Sequence, residues 1–391
     1  MIYNNLEYKA KIAKEIFKID ISFTNGATVN IIDTKGLSYD IKFYNHKTNE
    51  LIWADKISDG YWTSPSAKYF IKWRVEVWQG DIKLKEKILD CTNKNVIIHL
   101  DSKSIGDSLA WLPYVEEFRK RHKCKIFCST FHNDWFNSKY PNINFIPPGL
   151  SVPNLYAKYN VGWFYEEDNT VKLSQNPYDF KQFPLQKTAT DILGLPYKEI
   201  KPKLITKKTT LPTNKKYVVI APHGTKHSSY WHHSGGWQTV IDFLKKRNYK
   251  VVMMSGEPLG DSFHDAKLGG TLTGVINRTG TEGNILEKFY EIKNASALVG
   301  IGSGLSWVSW ALGVPTVLIS GFSEAYAEMA DCYRVTTPEG NCTGCFNKFR
   351  LDPGDWEWCP HHKNTMRHFE CSKSITPSLV INNLKKALNI Y

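Results

Sequence analysis

Four cysteines form the sharpest chemical pattern in the chain, Cys342-x2-Cys345-x13-Cys359-x11-Cys371. A Cys-x2-Cys knuckle turns two thiolates toward one ion, and two later cysteines complete a tetrahedron. Gly344 lies inside the knuckle, where a tight turn favours glycine. These four are half of the chain's eight cysteines and fall within 30 residues. Tetrahedral sulfur suits iron or zinc, and spacing does not choose between them. Four thiolates leave no open coordination position, so the expected role is structural. His361, His362 and His368 are close enough in sequence to replace one ligand, and Cys332 is a fifth thiol candidate.

A second group of residues could handle phosphate and protons. Asp107 stands at the start of an amphipathic stretch, just after the apolar run 95–100. A carboxylate there can take a proton from an acceptor hydroxyl and activate its oxygen for in-line attack. The plain alternative is a helix N-terminal acid favoured by the macrodipole. Gly302, Ser303, Gly304, Leu305 and Ser306 lie between a strand pattern and a helix pattern. Small residues let backbone N–H groups approach an anion, and Ser303 and Ser306 could add hydroxyl donors. The loop 222–231 carries His223, Thr225, Lys226, His227 and Trp231, and Glu257 follows the next strand pattern. Thr225, Lys226 and the histidines are anion-friendly, and Glu257 could hydrogen-bond a ribose.

The elements that must position these residues read as α/β. The segment 95–100 (NVIIHL) is short and apolar, as in a buried parallel strand. A loop 101–107, an amphipathic helix over 108–122 and a strand over 125–129 follow, which opens a doubly wound sheet. A second such pattern has strands at 217–221, 249–255, 295–301 and 315–320 and a helix at 237–247. The connector 177–212 is rich in Lys, Pro and Thr, with one short helix expected at 188–194. Before residue 93, short alternating runs at 27–32, 39–44, 50–54 and 69–79 predict a small antiparallel β-domain. The expected division is therefore 1–92, 93–205 and 206–391, the last including the metal segment 342–371.

Bulk properties narrow the class. The 391 residues are 42% hydrophobic and 23% charged, which allows two or three ordinary globular domains. The net charge of +12 suggests an anionic partner, but the lysines are scattered rather than clustered. That scatter argues against a nucleic-acid binder built on the cysteines, which is the competing class. Aromatic residues reach 13%, enough to line a sugar or base pocket but equally at home in core and subunit interfaces. No apolar run approaches the roughly 18 residues needed to span a bilayer. The first residues are polar and charged, so the expected location is cytoplasmic, where cysteines serve as thiols or metal ligands.

Four segments carry a resemblance: 102–122 (SKSIGDSLAWLPYVEEFRKRH), 235–255 (GGWQTVIDFLKKRNYKVVMMS), 299–322 (VGIGSGLSWVSWALGVPTVLISGF) and 342–377, which begins CTGCFNKFRLDPGDWEWCP. The chain resembles the bacterial autotransporter heptosyltransferases, related to the lipopolysaccharide heptosyltransferases of glycosyltransferase family 9, over essentially its whole length. The cysteine segment is the most specific part, because the lipopolysaccharide enzymes lack it. The resemblance implies a GT-B fold and an inverting transfer from ADP-heptose to serine hydroxyls of an autotransporter passenger. It implies Asp107 as the general base and residues 302–306 as the donor phosphate loop. Cys342, Cys345, Cys359 and Cys371 would hold structural iron, no catalytic metal is expected, and the chains would assemble into a large homo-oligomer, typically a dodecamer. One departure stands out: the family places a lysine two residues before the tryptophan of the third loop, and here that position is Ser229, before Trp231. Lys226 is the nearest substitute, and a different nucleotide sugar or a glycan acceptor is the alternative reading.

Overall fold

The computed structural model describes residues 17–33, 36–211, 213–280 and 284–390. The polar start of the chain, residues 1–16, lies outside the described residues, as does Pro212 at the end of the connector.

Among the described residues, seven strands precede the first parallel sheet: β1 (Phe17–Ser22), β2 (Thr28–Asp33), β3 (Ser38–Asn45), β4 (Glu50–Ser58), β5 (Trp62–Thr63), β6 (Trp73–Gln79) and β7 (Ile82–Ile88). They form two antiparallel sheets, ordered β1-β2-β5 and β4-β3-β6-β7. Alternation decides which face goes inward: Tyr39, Ile41 and Phe43 of β3 and Trp73, Val75 and Val77 of β6 are buried. Lys85 and Lys87 of β7 donate to the carbonyls of Ile19 and Ile21 at 2.6 and 2.5 Å, so the lysine-bearing edge of one sheet covers the edge of the other.

The first α/β half contains β8 (Asn95–Leu100), α1 (Ile105–His122), β9 (Lys125–Ser129), β10 (Ile143–Ile146), β11 (Leu155–Val161) and α2 (Leu185–Leu193). Its four strands are all parallel in the order β10-β9-β8-β11. The apolar run at 95–100 is indeed an inner strand, with Val96, Ile97, Ile98 and Leu100 buried.

The second half runs β12 (Tyr217–Ala221), α3 (Gly236–Lys246), β13 (Lys250–Met254), α4 (Ser262–Lys267), β14 (Ile276–Arg278), α5 (Ile285–Lys293), β15 (Ala297–Ile301), α6 (Gly304–Ala311), β16 (Thr316–Ser320) and β17 (Tyr333–Thr336). Its six parallel strands take the order β14-β13-β12-β15-β16-β17. Numbered within the half this is 3-2-1-4-5-6, the Rossmann order. Helix α3 buries Trp237, Val240, Ile241 and Leu244, one face at helical spacing. Each such side chain contributes roughly 1.5–3 kcal/mol of burial. The chain ends with two short helices around the cysteines, α7 (Cys345–Lys348) and α8 (Glu370–Lys373), and with α9 (Pro377–Leu388), which packs on α3 and β15–β17.

The two halves meet where α1 and α6 begin. A Cβ on Gly304 would lie 2.6 Å from Cβ of Ile105, and one on Gly106 would lie 2.9 Å from the Trp307 ring. Both contacts lie far inside normal approach distances, so these two glycines set how closely the helices come together. Backbone bonds reinforce the junction: Leu185 N–H donates to Ala327 O at 2.9 Å, and Lys207 N–H donates to Leu286 O at 2.9 Å.

Candidate active site between the two parallel sheets

In an open α/β sheet, ligands bind beyond the carboxyl ends of the strands where the strand order reverses. In the first half that point lies between β8 and β11, and in the second between β12 and β15.

Asp107 stands at the first of these points. The helix begins at Ile105, so Asp107 sits in its first turn and not in the loop expected over 101–107. Ser104 caps the helix by accepting the Asp107 backbone N–H. On the carboxyl itself, Ser102 Oγ donates to Oδ2 at 2.7 Å and the Trp163 indole N–H donates to the same oxygen at 3.1 Å. Burial pushes the Asp107 pKa up, and the bonds from Ser102, Trp163 and Ser104 partly offset that rise. A carboxylate held above its usual range is a stronger base toward a hydroxyl.

Trp163 was not legible as a site residue. It follows β11, whose sequence LYAKYNV has no apolar run to mark a buried parallel strand, and no strand was expected there. Once β11 pairs with β8, Trp163 lies opposite Asp107.

The second half brings the small-residue loop to the same place. Gly302 and Ser303 lead from β15 into α6, whose N-terminus adjoins that of α1. A Cβ on Gly302 would run into the Glu328 carboxylate, which is held by Arg334 at 2.6 Å and Ser320 at 3.0 Å. Gly302 is therefore dictated by that ion pair. Ser303 precedes α6 without capping it, and its hydroxyl is buried with no protein partner. A buried donor without a partner costs free energy, and a bound anion would relieve that cost. Replacing Ser303 with Ala should weaken ADP binding about 3- to 10-fold, the worth of one hydrogen bond. Thermal stability should stay unchanged, because no internal bond is lost. Calorimetric titration with ADP checks this, and unchanged affinity would place the hydroxyl outside the donor site. Ser306 does not fit the expected donor role. It is fully buried, and its hydroxyl donates to the Ile301 carbonyl at 2.7 Å, which ties the turn together. Leu305 is half-buried and packs against the main core.

The loop after β12 differs more from expectation. Trp231 is 1% exposed, its indole N–H donates to the Ile375 carbonyl at 2.8 Å, and it packs against Trp237 and Gly236. It is a core residue, not a donor ligand. Lys226 donates to the Pro353 carbonyl, so its ammonium is engaged with the cysteine segment rather than held toward the phosphate loop. Ser229 donates to the Lys226 carbonyl at 2.7 Å. Thr225 is exposed on the loop. At the neighbouring strand end, His223 Nδ1 lies 2.7 Å from Ser255 Oγ, and Glu257 lies 3.3 Å from His264 Nε2. His264 Nδ1 in turn lies 3.2 Å from Tyr230 Oη. Burial lowers the His223 pKa to about 4, so that imidazole is neutral near pH 7. Glu257 lies just past β13 beside Ser255 and His264, with Tyr230 next to His264, three residues the sequence pattern did not mark.

The four cysteines approach one another. Burial pushes the thiols of Cys345 and Cys371 up to about 12. The charge of Cys342 adds to both, as does that of Cys359, and Cys371 also feels Cys345. As described, their thiols are not closed into a ligand shell: among the described residues, no three His, Cys, Asp or Glu side chains are gathered as a metal-holding group. As a donor set, four thiols have the chemistry that a soft tetrahedral ion takes. The surrounding segment is fastened to both halves. Asn347 donates to the Lys181 carbonyl at 2.9 Å and Arg350 to Asn169 at 2.5 Å in the first half. Ser372 donates to the Tyr230 carbonyl at 2.5 Å and Thr337 to the Cys371 carbonyl at 2.6 Å in the second.

Comparison with known proteins fits this geometry. Residues 170–339 match the model of glycosyltransferase family 9 (heptosyltransferase). The chain is 32% identical over 366 residues to the autotransporter heptosyltransferase BAHTCr of Citrobacter rodentium, covering 92% of this chain and 86% of that one. The chain belongs to the autotransporter heptosyltransferases. It also aligns with TibC of enterotoxigenic Escherichia coli, a glycosyltransferase described as iron-containing and dodecameric. The TibC crystal structure superposes at a TM-score of 0.85 with 30% identity, over 95% of this chain and 96% of that one. TibC has also been solved in complex with ADP-D-beta-D-heptose. A third relative, BimC of Burkholderia thailandensis, is 26% identical over 92% of this chain and 83% of its own length, and is described as inactive. Membership of the heptosyltransferases therefore fixes the chemistry class, and the parallel sheets place this heptosyltransferase in a GT-B-like fold. No described helix is long and apolar enough to cross a membrane.

Proposed function

We propose that this heptosyltransferase transfers heptose, with inversion, from ADP-heptose to serine hydroxyls of an autotransporter passenger, with Asp107 as the general base. The observation that carries the proposal is the meeting of α1 and α6. It sets a carboxyl of raised pKa beside a helix N-terminus that offers an unpartnered Ser303 hydroxyl. Asp107 would take the proton of the acceptor hydroxyl as its oxygen attacks the anomeric carbon and the bond to ADP breaks. The N-terminus of α6 and Ser303 would stabilise the phosphate charge left on ADP. Glu257 would accept from the ribose, with His264 orienting it. The three-part division at residues 92 and 205 belongs to the same proposal, with acceptor and base in the middle part and donor in the last.

Cys342, Cys345, Cys359 and Cys371 would hold iron, with zinc as the alternative, and the ion would cross-link the segment without touching substrate. None of the eight cysteines is joined in a disulfide, in keeping with a cytoplasmic place of work.

Assembly into a large homo-oligomer is supported by the antiparallel sheet. In the sheet β4-β3-β6-β7 the edge strand β4 is largely exposed, with Trp53 at 47%, and Ile82 at the start of β7 is 66% exposed. Exposed apolar edges are an association hazard unless another chain covers them. The double substitution Trp53→Asp and Ile82→Asp should lower the molar mass found by light scattering, with the monomer still folded. A mass unchanged from the parent would move the interface elsewhere.

The deciding experiment mixes the purified protein with ADP-heptose and a purified autotransporter passenger fragment, and weighs the passenger by mass spectrometry. Increments of one or more heptoses establish donor and acceptor together. ADP release without an increment keeps the donor and moves the acceptor to a glycan. Neither result would point to another nucleotide sugar, with Ser229 as the first residue to change.

A further inference from the structure

The cysteine segment reaches the catalytic carboxyl through a run of rings. Phe346 directly follows Cys345, and Trp358 directly precedes Cys359. Between them stands Phe322, just past β16, with its ring 5.2 Å from Phe346 and 5.9 Å from Trp358. The Phe346 N–H donates to the Phe322 carbonyl at 3.1 Å, which fixes the knuckle on the end of the second sheet. On its other side Phe346 meets Trp163, ring centroids 5.9 Å apart at 75°. Phe180 also packs edge-on against that indole at 4.7 Å and 87°, and Trp111 lies 6.2 Å away. These are edge-to-face and tilted separations at which ring pairs attract. The clamped indole then donates to Asp107 Oδ2 at 3.1 Å.

An indole can hold a carboxylate only where its own ring is held. Trp111 and Phe180 come from the half that carries Asp107, whereas Phe346 comes from the cysteine segment. We infer that Phe346 is a positioning residue for the transfer reaction: through Trp163 it sets the orientation of the Asp107 carboxylate, so that the cysteine segment is part of the machinery that aligns the base. The inference rests on the reading of Asp107 as base. It gives the segment a task besides holding a metal, because its Phe346 packs on the indole that donates to the Asp107 carboxylate.

The test is the full-length protein with ADP-heptose and a passenger fragment, in four variants with metal content measured for each. Phe346→Ala should lower kcat about tenfold or more, since displacement of a catalytic group by about an ångström can cost up to about a hundredfold. The KM for ADP-heptose should stay within about twofold. Three groups act on the Asp107 carboxyl, namely Ser102, Ser104 and Trp163, and all of them favour its ionised form. Loosening the indole bond should therefore move the acid limb of the kcat–pH profile upward. Phe346→Leu, which keeps most of the volume but not the ring, should retain metal and fall between Ala and the parent. Trp163→Phe should reproduce the shifted limb with the cysteine segment untouched. Parent-like kcat and pH profile in Phe346→Leu and Phe346→Ala would overturn the inference. So would a loss confined to Phe346→Ala that tracks its metal content while Phe346→Leu behaves as the parent. Failure of the base assignment itself has a different signature: Asp107→Asn would retain turnover, whatever the Phe346 variants do.

Discussion

Asp107→Asn should cut turnover by about a thousandfold, within the range that general-base catalysis contributes, and leave affinity for ADP-heptose within about twofold. The amide is nearly isosteric with the carboxyl, and its oxygen can still accept from Ser102 and Trp163, so local packing survives. What is lost is the capacity to take a proton. Rapid-quench turnover and calorimetric titration on the same variant separate the two effects. A variant that still turns over at a tenth of the parent rate would remove Asp107 from the role of base. The pH profile of the parent gives a second reading. Asp107 must be ionised to act, and burial raises its pKa above the ordinary carboxylate range. The rate should hold above that pKa and fall as pH drops through it, so the acid limb should lie higher than for an exposed aspartate.

Trp231→Ala should destabilise the second half by about 3–5 kcal/mol, the usual cost of truncating a large buried aromatic. The cavity would open beneath Trp237 and Gly236, and the Ile375 carbonyl would lose its 2.8 Å donor. At a few degrees per kcal/mol, the melting transition should fall by roughly 10 °C. Trp231→Phe keeps much of the ring volume and loses chiefly the hydrogen bond, so its fall should be far smaller. Scanning calorimetry reads both. ADP affinity of the Phe variant should match the parent. A native melting point with lost ADP affinity would return Trp231 to the donor site.

The comparison of sequence and structure turns on what each kind of residue reveals. Apolar runs such as 95–100 and 217–221 are strands as expected, because a strand buried on both faces has only one kind of residue to use. The strand–helix junction at Gly302 and Ser303 also falls where its pattern placed it, whereas the first helix starts at Ile105, inside the loop expected over 101–107. Asp107 was legible by position, but its raised pKa was not, since burial depends on residues distant in the chain. Trp163 comes from 56 residues further on, and nothing in LYAKYNV marks the strand that delivers it. Trp231, Ser306 and Lys226 show the opposite error. Indole, hydroxyl and ammonium groups look like ligand-binding groups in a sequence, yet here each serves a main-chain carbonyl, of Ile375, Ile301 and Pro353 respectively. Type and spacing show what a side chain can do, and only the fold decides whether a carbonyl has already claimed it.

Two glycines have a consequence for protein engineering. A Cβ at Gly321 would lie 2.5 Å from the Cys371 carbonyl, and one at Gly344 would collide with the Glu324 side chain. Gly321 closes the end of the sheet scaffold and Cys371 belongs to the cysteine segment, so the scaffold can carry no side chain at Gly321 while the Cys371 backbone sits against it. The appended piece is thus not a cassette. Grafted onto a lipopolysaccharide-type scaffold, it would need glycine at the end of the receiving strand, and an aromatic partner across the cleft, before it could seat at all.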